Sequence, residues 1–295
     1  MKKRIMTGLL ACCLSLSLAL PGFAAGSIPA QEEVAQVITA LGIMAGDAGG
    51  DLRLSRTVTR AEFITMAVKA SPQGDQVGEA STSPYPDVPY THWAAGFVEA
   101  GVAAGLISGY SDGTFRPASS ITLAEGATIA LGLLGYSAEA NASWPTGAIR
   151  TATELGLDKG LNIAVPSAAV TRGQAAVLFS RMLAITPKGG EKPYAQALGT
   201  LVEDVIILST NATINGQSGW VTTTQGGPYR PVGTVDSSLQ GQRGDILLDK
   251  NGQFITLLTN NTDSVTTTIT RVQGNYLHTA NGSRYTFADD TPVYT

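Results

Sequence analysis

The chain of 295 residues carries 19 Lys and Arg against 23 Asp and Glu, a net charge of −4 at neutral pH, and 43% of its residues are hydrophobic. Its two cysteines, Cys12 and Cys13, both lie near the N-terminus. The acidic balance argues against nucleic acid as a partner, and a mature chain without cysteine would exclude disulfides and thiolate metal sites.

Residues 1–25 have the three regions of a secretory signal peptide. Basic residues occupy positions 2–4, an apolar run covers 5–20, and small residues at 23–26 suit cleavage. Cys12 follows a lipobox-like Leu-Leu-Ala, which leaves a lipoprotein as the lesser alternative. Cleavage would remove three basic residues and change the net charge from −4 to −7. No later segment is apolar over enough residues to span a bilayer, so no membrane span is expected after cleavage.

One pattern then recurs three times. A Thr, two further residues and a Glu or Gln stand at the start of an apolar helical run in Thr59–Glu62, Thr122–Glu125 and Thr171–Gln174. This spacing is typical of a helix capping box, in which the Thr and Glu side chains bond reciprocally to backbone N–H groups. Gly42–Gly46 and Gly105–Gly109 precede their Thr at the same distance, so the segments are predicted to be internal repeats.

Apolar residues recur at helical spacing in six segments, 31–41, 60–70, 93–104, 123–134, 145–157 and 172–184. Two short helices cannot bury a core alone, so the copies are expected to pack around one shared axis. The predicted fold class is therefore an all-α N-terminal module of three helix–loop–helix repeats with pseudo-threefold packing, followed by a small all-β domain.

After residue 187 the composition changes to Thr, Asn, Gly and β-branched residues. Strands are predicted at 205–208, 246–248, 254–258 and 265–272, with tight turns at Asn251-Gly252, Gly274-Asn275 and Asn281-Gly282. They indicate an antiparallel sandwich or barrel. The predicted domains are a signal peptide at 1–25, repeats at 26–75, 83–137 and 138–187, a linker at 188–196 and a β-rich domain at 197–295. A further strand begins at 292–295, which leaves open a truncated longer protein.

The middle copy resembles the S-layer homology (SLH) repeat. The resemblance rests on Tyr85–Val88, His92–Ala94, Gly105–Pro117 and Ile121-Thr122, and by alignment it extends over roughly residues 30–186. It implies three tandem SLH repeats that anchor an exported protein to the cell wall by binding an anionic secondary cell-wall polysaccharide, pyruvylated in many members. It also implies a secreted protein of the cell wall, surface layer and cell surface, with other surface-layer proteins as further partners.

Arg60 and Arg172 are the first candidates for polymer binding. Each stands at the first position of a helix, where a cation is unfavourable by about 0.3–1 kcal/mol unless an anion binds there. The resemblance places the Arg of this motif in the polymer groove. The alternatives are a solvated Arg or one paired to a carboxylate such as Asp87. Leu123 takes the same position in the middle copy, which puts that copy's own site in doubt.

The remaining candidates for polymer binding all lie in the middle copy: Asp87, Trp93, Gly109, Tyr110, Asp112 and Arg116. Core packing is the preferred interpretation for most of the Trp93 surface, with stacking of an exposed edge on a sugar face as the alternative. Turn chemistry is the preferred interpretation for Asp112 and the glycines, and locking of the loop is preferred to lining the groove for Arg116.

The sequence predicts no catalytic residues, metal or cofactor. Gly109–Gly113 matches the Gly-x-Ser-x-Gly pattern, but a helix rather than a strand precedes it, so a nucleophile elbow is rejected. A non-catalytic anchor with a β domain as spacer or surface-layer element is therefore the preferred hypothesis. The alternative is an SLH-anchored cell-surface enzyme whose catalytic part is the β domain or lies beyond Thr295. An SLH module preceding an outer-membrane barrel is a third, weaker hypothesis.

Overall fold

The computed structural model describes residues 31–161, 165–259 and 267–287. The described residues contain seven α-helices: α1 (Gln31–Ala40), α2 (Arg60–Lys69), α3 (Ala95–Ala103), α4 (Leu123–Leu133), α5 (Ser137–Asn141), α6 (Thr146–Leu155) and α7 (Arg172–Ala184). The described residues divide into two compact units, with the boundary between Thr200 and Leu201. The predicted signal peptide at 1–25 and the predicted strand start at 292–295 lie outside the described residues.

The predicted capping boxes are confirmed at the starts of α2, α4 and α7. In α2 the Thr59 hydroxyl accepts a hydrogen bond from the N–H of Glu62 at 3.2 Å, and the Glu62 carboxylate accepts one from the N–H of Thr59 at 2.9 Å. Thr122 with Glu125 and Thr171 with Gln174 repeat the arrangement. Each box therefore fixes where its helix begins.

The remaining N–H groups at these helix starts are bonded by a loop from elsewhere in the same unit. An isolated helix leaves its first four N–H groups without partners. Here the first two of each helix donate to carbonyl oxygens of a distant loop: to Ser119 and Pro117 from α2, to Ala168 and Pro166 from α4, and to Arg56 and Leu54 from α7. The segments before the helices also pair as isolated β-bridges, Thr59 with Ser120, Thr122 with Ala169, and Thr57 with Thr171.

The prediction of an all-α N-terminal module with pseudo-threefold packing is therefore wrong as a fold class. The described residues form a mixed fold of seven α-helices and two antiparallel sheets, and the helical unit itself contains extended bridges and a 3₁₀ turn at Gly74–Gln76. The physical reason is that the loops must pair their backbone groups. Extended segments that meet at the helix starts do so, whereas separate helix–loop–helix units would leave those groups unpaired. The five-residue helix α5 was not predicted.

The core of the helical unit lies among the three capped helices. Phe63 of α2 is fully buried, and its ring centre lies 5.2 Å from that of Phe179 in α7. Gly126 of α4 faces the same ring so closely that an added Cβ would lie 3.1 Å from it. Around this centre α1 packs against α7, α2 against α3, and α4 against α6. The apolar stripes of the three capped helices therefore meet at an aromatic centre.

The segment after α7 also belongs to the helical unit. Tyr194 is 6% exposed; its hydroxyl donates to the carbonyl oxygen of Ala70 at 2.9 Å, and its N–H donates to that of Ile185 at 2.9 Å. Lys188 forms an ion pair with Glu139. Because burial disfavours the charged form of a phenol, it raises the pKa of Tyr194 to about 12.

The buried Tyr194 predicts a loss of stability at high pH. An unfolded Tyr titrates near pH 10, below the folded pKa of about 12. The contribution of the neutral phenol is therefore complete below pH 10 and is lost as the pH rises from about 10 to 12, by about 2–3 kcal/mol in all. Urea unfolding of the wild type at about pH 8 and about pH 11 measures roughly the first half of this loss, about 1.4 kcal/mol. Tyr194→Phe should be less stable at about pH 8 but show a smaller further loss; an equal loss in both proteins would contradict the assignment.

The C-terminal unit is antiparallel β-structure, as predicted. Its strands are β1 (Thr200–Ile214), β2 (Gln217–Thr223), β3 (Arg243–Leu248), β4 (Phe254–Thr259), β5 (Ile269–Gln273), β6 (Tyr276–Thr279) and β7 (Arg284–Thr286). They form one sheet in the order β2-β1-β3-β4 and another in the order β5-β6-β7. Gly252, Gly274 and Gly282 have positive φ at the three predicted tight turns.

The four-stranded sheet is closed by the segment that joins β2 to β3. Tyr229 forms a bridge to Val221 on edge strand β2, and Pro231 forms one to Phe254 on the other edge strand, β4. The closed sheet surrounds an apolar core: Val205, Ile207, Val221, Ile246, Leu248, Phe254 and Leu257. Both edges that could pair with another chain are thereby partly occupied.

Candidate functional site

The loop from Ser108 to Arg116, here called the middle loop, connects α3 to the segment before α4. Asp87 holds its end: the carboxylate accepts hydrogen bonds from the N–H groups of Phe115 at 2.9 Å and Arg116 at 2.7 Å. Burial alone would raise the pKa of the Asp87 carboxyl, but these backbone donors outweigh it and lower that pKa below its usual value. The start of the loop is fixed by Gly109, whose N–H donates to the Tyr85 hydroxyl at 2.8 Å.

Gly109 has a steric reason to be glycine. A Cβ at this position would lie 2.4 Å from the Tyr85 ring and 2.9 Å from the carbonyl oxygen of Thr114. The tip of the loop is closed by Asp112, which accepts hydrogen bonds from the Thr114 hydroxyl at 2.6 Å and from the Arg116 guanidinium at 2.8 Å. These bonds lower the pKa of Asp112. The loop therefore has one well-defined conformation around an ionised Asp112.

The middle loop exposes the Arg116 guanidinium to solvent, packed on the ring of Tyr110. The Arg116 guanidinium carbon lies 4.0 Å from the centre of the Tyr110 ring, a cation–π geometry. The Arg116 side chain is 49% exposed, and its backbone adopts φ 58°, a left-handed conformation that is uncommon for Arg. The Asp87 bond to the Arg116 N–H helps hold that conformation, so the cation is displayed by a fixed backbone.

Arg60, by contrast, is buried beneath this loop. It is 3% exposed. Its Nε donates to the carbonyl oxygen of Phe115 at 3.0 Å, its Nη2 to that of Ser108 at 3.1 Å, and its Nη1 to the Glu125 carboxylate at 2.6 Å. The guanidinium carbon also lies 4.7 Å from the Tyr110 ring centre. One side chain thus contacts both ends of the middle loop.

Arg172 makes the corresponding contacts with the first copy. Its Nε donates to the carbonyl oxygen of Leu52 at 2.7 Å and its Nη2 to that of Ala45 at 2.6 Å. It is 8% exposed. Burial lowers the pKa of the Arg172 guanidinium, and the Glu62 carboxylate acts in the opposite direction.

The helix starts at which an anion site was predicted have their N–H groups bonded within the protein. All four leading N–H groups of α2 are bonded, two to the distant loop and two to Thr59, and α7 is bonded in the same way. The guanidinium groups of Arg60 and Arg172 lie against loop carbonyl oxygens rather than over their own helix ends. The helix dipole penalty argued from the sequence is therefore offset by acceptors that are remote in the chain.

Trp93 is not among the described residues that form hydrogen bonds to the middle loop. It is 60% exposed, and its ring centre lies 5.6 Å from that of His92. The preferred interpretation of core packing is therefore wrong for most of this side chain. Trp144, at the same position in the third copy, is 52% exposed.

Two features were missed by reasoning from the sequence. One is a groove of about 890 Å³ beside the first copy, lined by Glu32, Gln36 and residues 50–56. The other is the role of Glu125 as the partner of Arg60. The sequence contained a signal for this role of Glu125. The second copy has Leu123 in place of the Arg, and the third copy, which it contacts, has Gln174 in place of the Glu.

Neither a metal site nor a membrane span is found in the part of the chain that the structure describes. There, no three His, Cys, Asp or Glu residues are grouped so that they could bind an ion. No described helix is both long and apolar enough to cross a bilayer.

The family model of the S-layer homology domain matches residues 84–126, which contain Asp87, Trp93 and the whole middle loop. Residues 84–126 of this chain are identified as an S-layer homology domain. The SLH segment therefore coincides with the loop whose geometry is described above, and the protein is a secreted protein of the cell surface.

Curated relatives match about half of this chain. A Surface layer protein of Brevibacillus choshinensis is 34% identical over 169 residues, which cover 54% of this chain and 15% of the relative. A Middle cell wall protein of Brevibacillus brevis is 33% identical over 182 residues, or 58% and 17% of the two chains. A Cellulosome-anchoring protein of Acetivibrio thermocellus is 29% identical over 161 residues, or 49% and 36%. Other relatives are named as enzymes, among them Exoglucanase XynX. The chain spans well under half the length of these relatives.

Proposed function

We propose that the helical unit of this SLH protein anchors an exported protein to the bacterial cell wall by binding an anionic secondary cell-wall polysaccharide. The observation that carries the proposal is the middle loop, which lies within the SLH segment and displays Arg116 on a fixed backbone. Because its conformation is already set by Asp87, Gly109 and Asp112, little loop entropy would be lost on binding.

Charge favours local contacts over long-range attraction. Residues 26–187 carry nine Lys and Arg against fourteen Asp and Glu, so the unit as a whole repels an anionic polymer. An exposed guanidinium can still form charge-assisted, bidentate hydrogen bonds to a carboxylate or phosphate. We therefore assign anion contact to Arg116, with Tyr110 beneath it and Trp93 as an exposed ring for a sugar face. In this proposal Arg60 and Arg172 belong to the polymer site through the loops that they hold.

The proposed domain roles follow the division of the chain. The SLH copies at 26–75, 83–137 and 138–187 form the anchor, and the β-rich domain is a spacer or surface-layer element. Other surface-layer proteins are proposed as its partners. The relatives named after surface layers, cell walls and anchoring support this non-catalytic role. The relatives named as enzymes keep the alternative open that an SLH anchor here serves a catalytic part elsewhere.

Arg116→Ala is expected to weaken binding to cell-wall sacculi by about 10- to 100-fold, as for one lost charge-assisted hydrogen bond. Co-sedimentation of the full chain with sacculi measures the effect. Sacculi from which the secondary polymer has been extracted should bind neither protein.

Arg150→Ala is the matched control for Arg116→Ala. Both Arg side chains are exposed, and each has a carboxylate four residues away, Asp112 for Arg116 at 2.8 Å and Glu154 for Arg150 at 4.0 Å. Arg150 lies in α6 outside the matched SLH segment. Equal losses from the two substitutions would indicate non-specific charge effects, and unchanged binding by Arg116→Ala would refute the assignment of Arg116.

A further inference from the structure

Arg60 and Arg172 form the same contact at two different junctions of the helical unit. The acceptors of Arg60 are the carbonyl oxygens of Ser108 and Phe115, and those of Arg172 are the carbonyl oxygens of Ala45 and Leu52. These acceptors occupy matching positions when the first two copies are aligned on their capping boxes. The Nε and Nη2 atoms are used in the same order at both junctions, so the contact is a repeated element of the structure.

At the third junction, uncharged residues stand in place of both the cation and the acid. Leu123 takes the position of the arginines and is 6% exposed. Its N–H still donates to the distant loop, at Ala168, as the N–H groups of Arg60 and Arg172 do to theirs. The residue that takes the position of Glu125 in the facing copy is Gln174, whose amide donates to the carbonyl oxygen of Leu161 at 3.1 Å. Removing one partner of a buried ion pair is costly, whereas exchanging both for neutral groups can be tolerated.

We propose that Arg60 and Glu125 are positioning residues that hold the middle loop in its binding conformation, and that Leu123 with Gln174 is the uncharged form of the same junction. This rests on the proposed function, in which the loop binds the polymer. The Arg60 side chain is 4% exposed, and Nε, Nη1 and Nη2 each bond within the protein. A polymer would therefore have to displace the loop to reach it. Arg60 instead spans Ser108 and Phe115, the two ends of the segment that presents Tyr110 and Asp112.

The Glu125 carboxylate extends this arrangement to the ring of Tyr110. Its Oε1 accepts from Arg60 at 2.6 Å and from the Tyr110 hydroxyl at 3.2 Å, while Oε2 closes the capping box of α4 with Thr122. One carboxylate thus couples the start of α4, the buried cation and the aromatic ring beneath Arg116. The junction fixes where Tyr110 lies, and Tyr110 in turn supports the exposed cation at 4.0 Å.

Arginine-selective dicarbonyl modification of the full chain, followed by mass spectrometry, tests the burial directly. We expect Arg116 and Arg150 to react, and Arg60 and Arg172 to stay unreacted until denaturant is added. Added sacculi should protect Arg116 alone. Reaction of Arg60 as fast as Arg116, with protection by sacculi, would overturn the proposal because it would make Arg60 a polymer contact. The reactivity of the free protein is informative even if the protein binds no sacculi.

A mutant cycle tests the junction. Arg60→Leu and Glu125→Gln should each lower Tm, whereas the double variant, which copies the Leu123 and Gln174 pair, should regain most of the loss. In the sacculus assay the double variant should bind at least about tenfold more tightly than Arg60→Leu. A double variant whose Tm falls by the sum of the single losses, or which binds as weakly as Arg60→Leu, would overturn the positioning role. If the wild type itself does not bind, the proposed function fails. The Tm cycle still shows whether Arg60 and Glu125 stabilise the junction together.

Discussion

Phe63→Ala is expected to lower the free energy of unfolding of the helical unit by about 3–5 kcal/mol, the range for truncating a fully buried aromatic side chain. Phe63 has no exposed surface and packs on Phe179, with Gly126 held close to the same ring. Helices as short as α2, α4 and α7 are marginal in isolation, so their stability comes from packing. Removing the ring that all three helices share should therefore affect the whole unit. Urea unfolding followed by far-UV circular dichroism measures the change.

Phe97→Ala is the control for Phe63→Ala. Phe97 lies on α3 and is only partly buried, with the Lys69 ammonium 5.8 Å from its ring centre. The same atoms are deleted at both positions, but less surface is buried and a cavity at Phe97 can open to solvent. We therefore expect a clearly smaller loss. Equal losses from the two substitutions would show that the unit has no single aromatic centre at Phe63.

Arg172→Ala should lower the stability of the helical unit by about 2–4 kcal/mol, because two hydrogen bonds from a charged donor are lost together. The carbonyl oxygens of Leu52 and Ala45 lose their partner, and the first loop loses its connection to α7. The sequence alone gives a different expectation, little change in stability, because it places the Arg at a helix start where a cation does not help the fold. Thermal and urea unfolding of the full chain distinguish the two expectations.

Arg150→Ala serves again as the matched variant. Its side chain is 63% exposed and lies 4.0 Å from Glu154, a geometry that contributes little to stability. We expect it to unfold like the wild type. If Arg172→Ala also unfolded like the wild type, the two buried hydrogen bonds would have no net value, and the role of Arg172 in holding the first loop would be refuted.

Local structure was predicted correctly where the interactions that cause it join residues only a few positions apart. The capping boxes at Thr59, Thr122 and Thr171 were predictable because the Thr and the Glu or Gln lie three residues apart and bond to each other. The turns at Asn251-Gly252 and Asn281-Gly282 followed from the need for positive φ. The SLH motif was recognisable because its residues are contiguous in the middle copy.

The sequence by itself therefore determined the three aligned copies of the capping motif, the change to β-structure and the identity of the middle loop. Only the tertiary structure decided what Arg60 and Arg172 do. Their acceptors lie 48 and 55 residues away for Arg60, and 127 and 120 residues away for Arg172. The extended bridges that make the helical unit more than an all-α module join segments equally far apart. A positive charge at a helix start is unfavourable by local electrostatics, and it becomes stabilising only when folding brings carbonyl oxygens or a carboxylate to it.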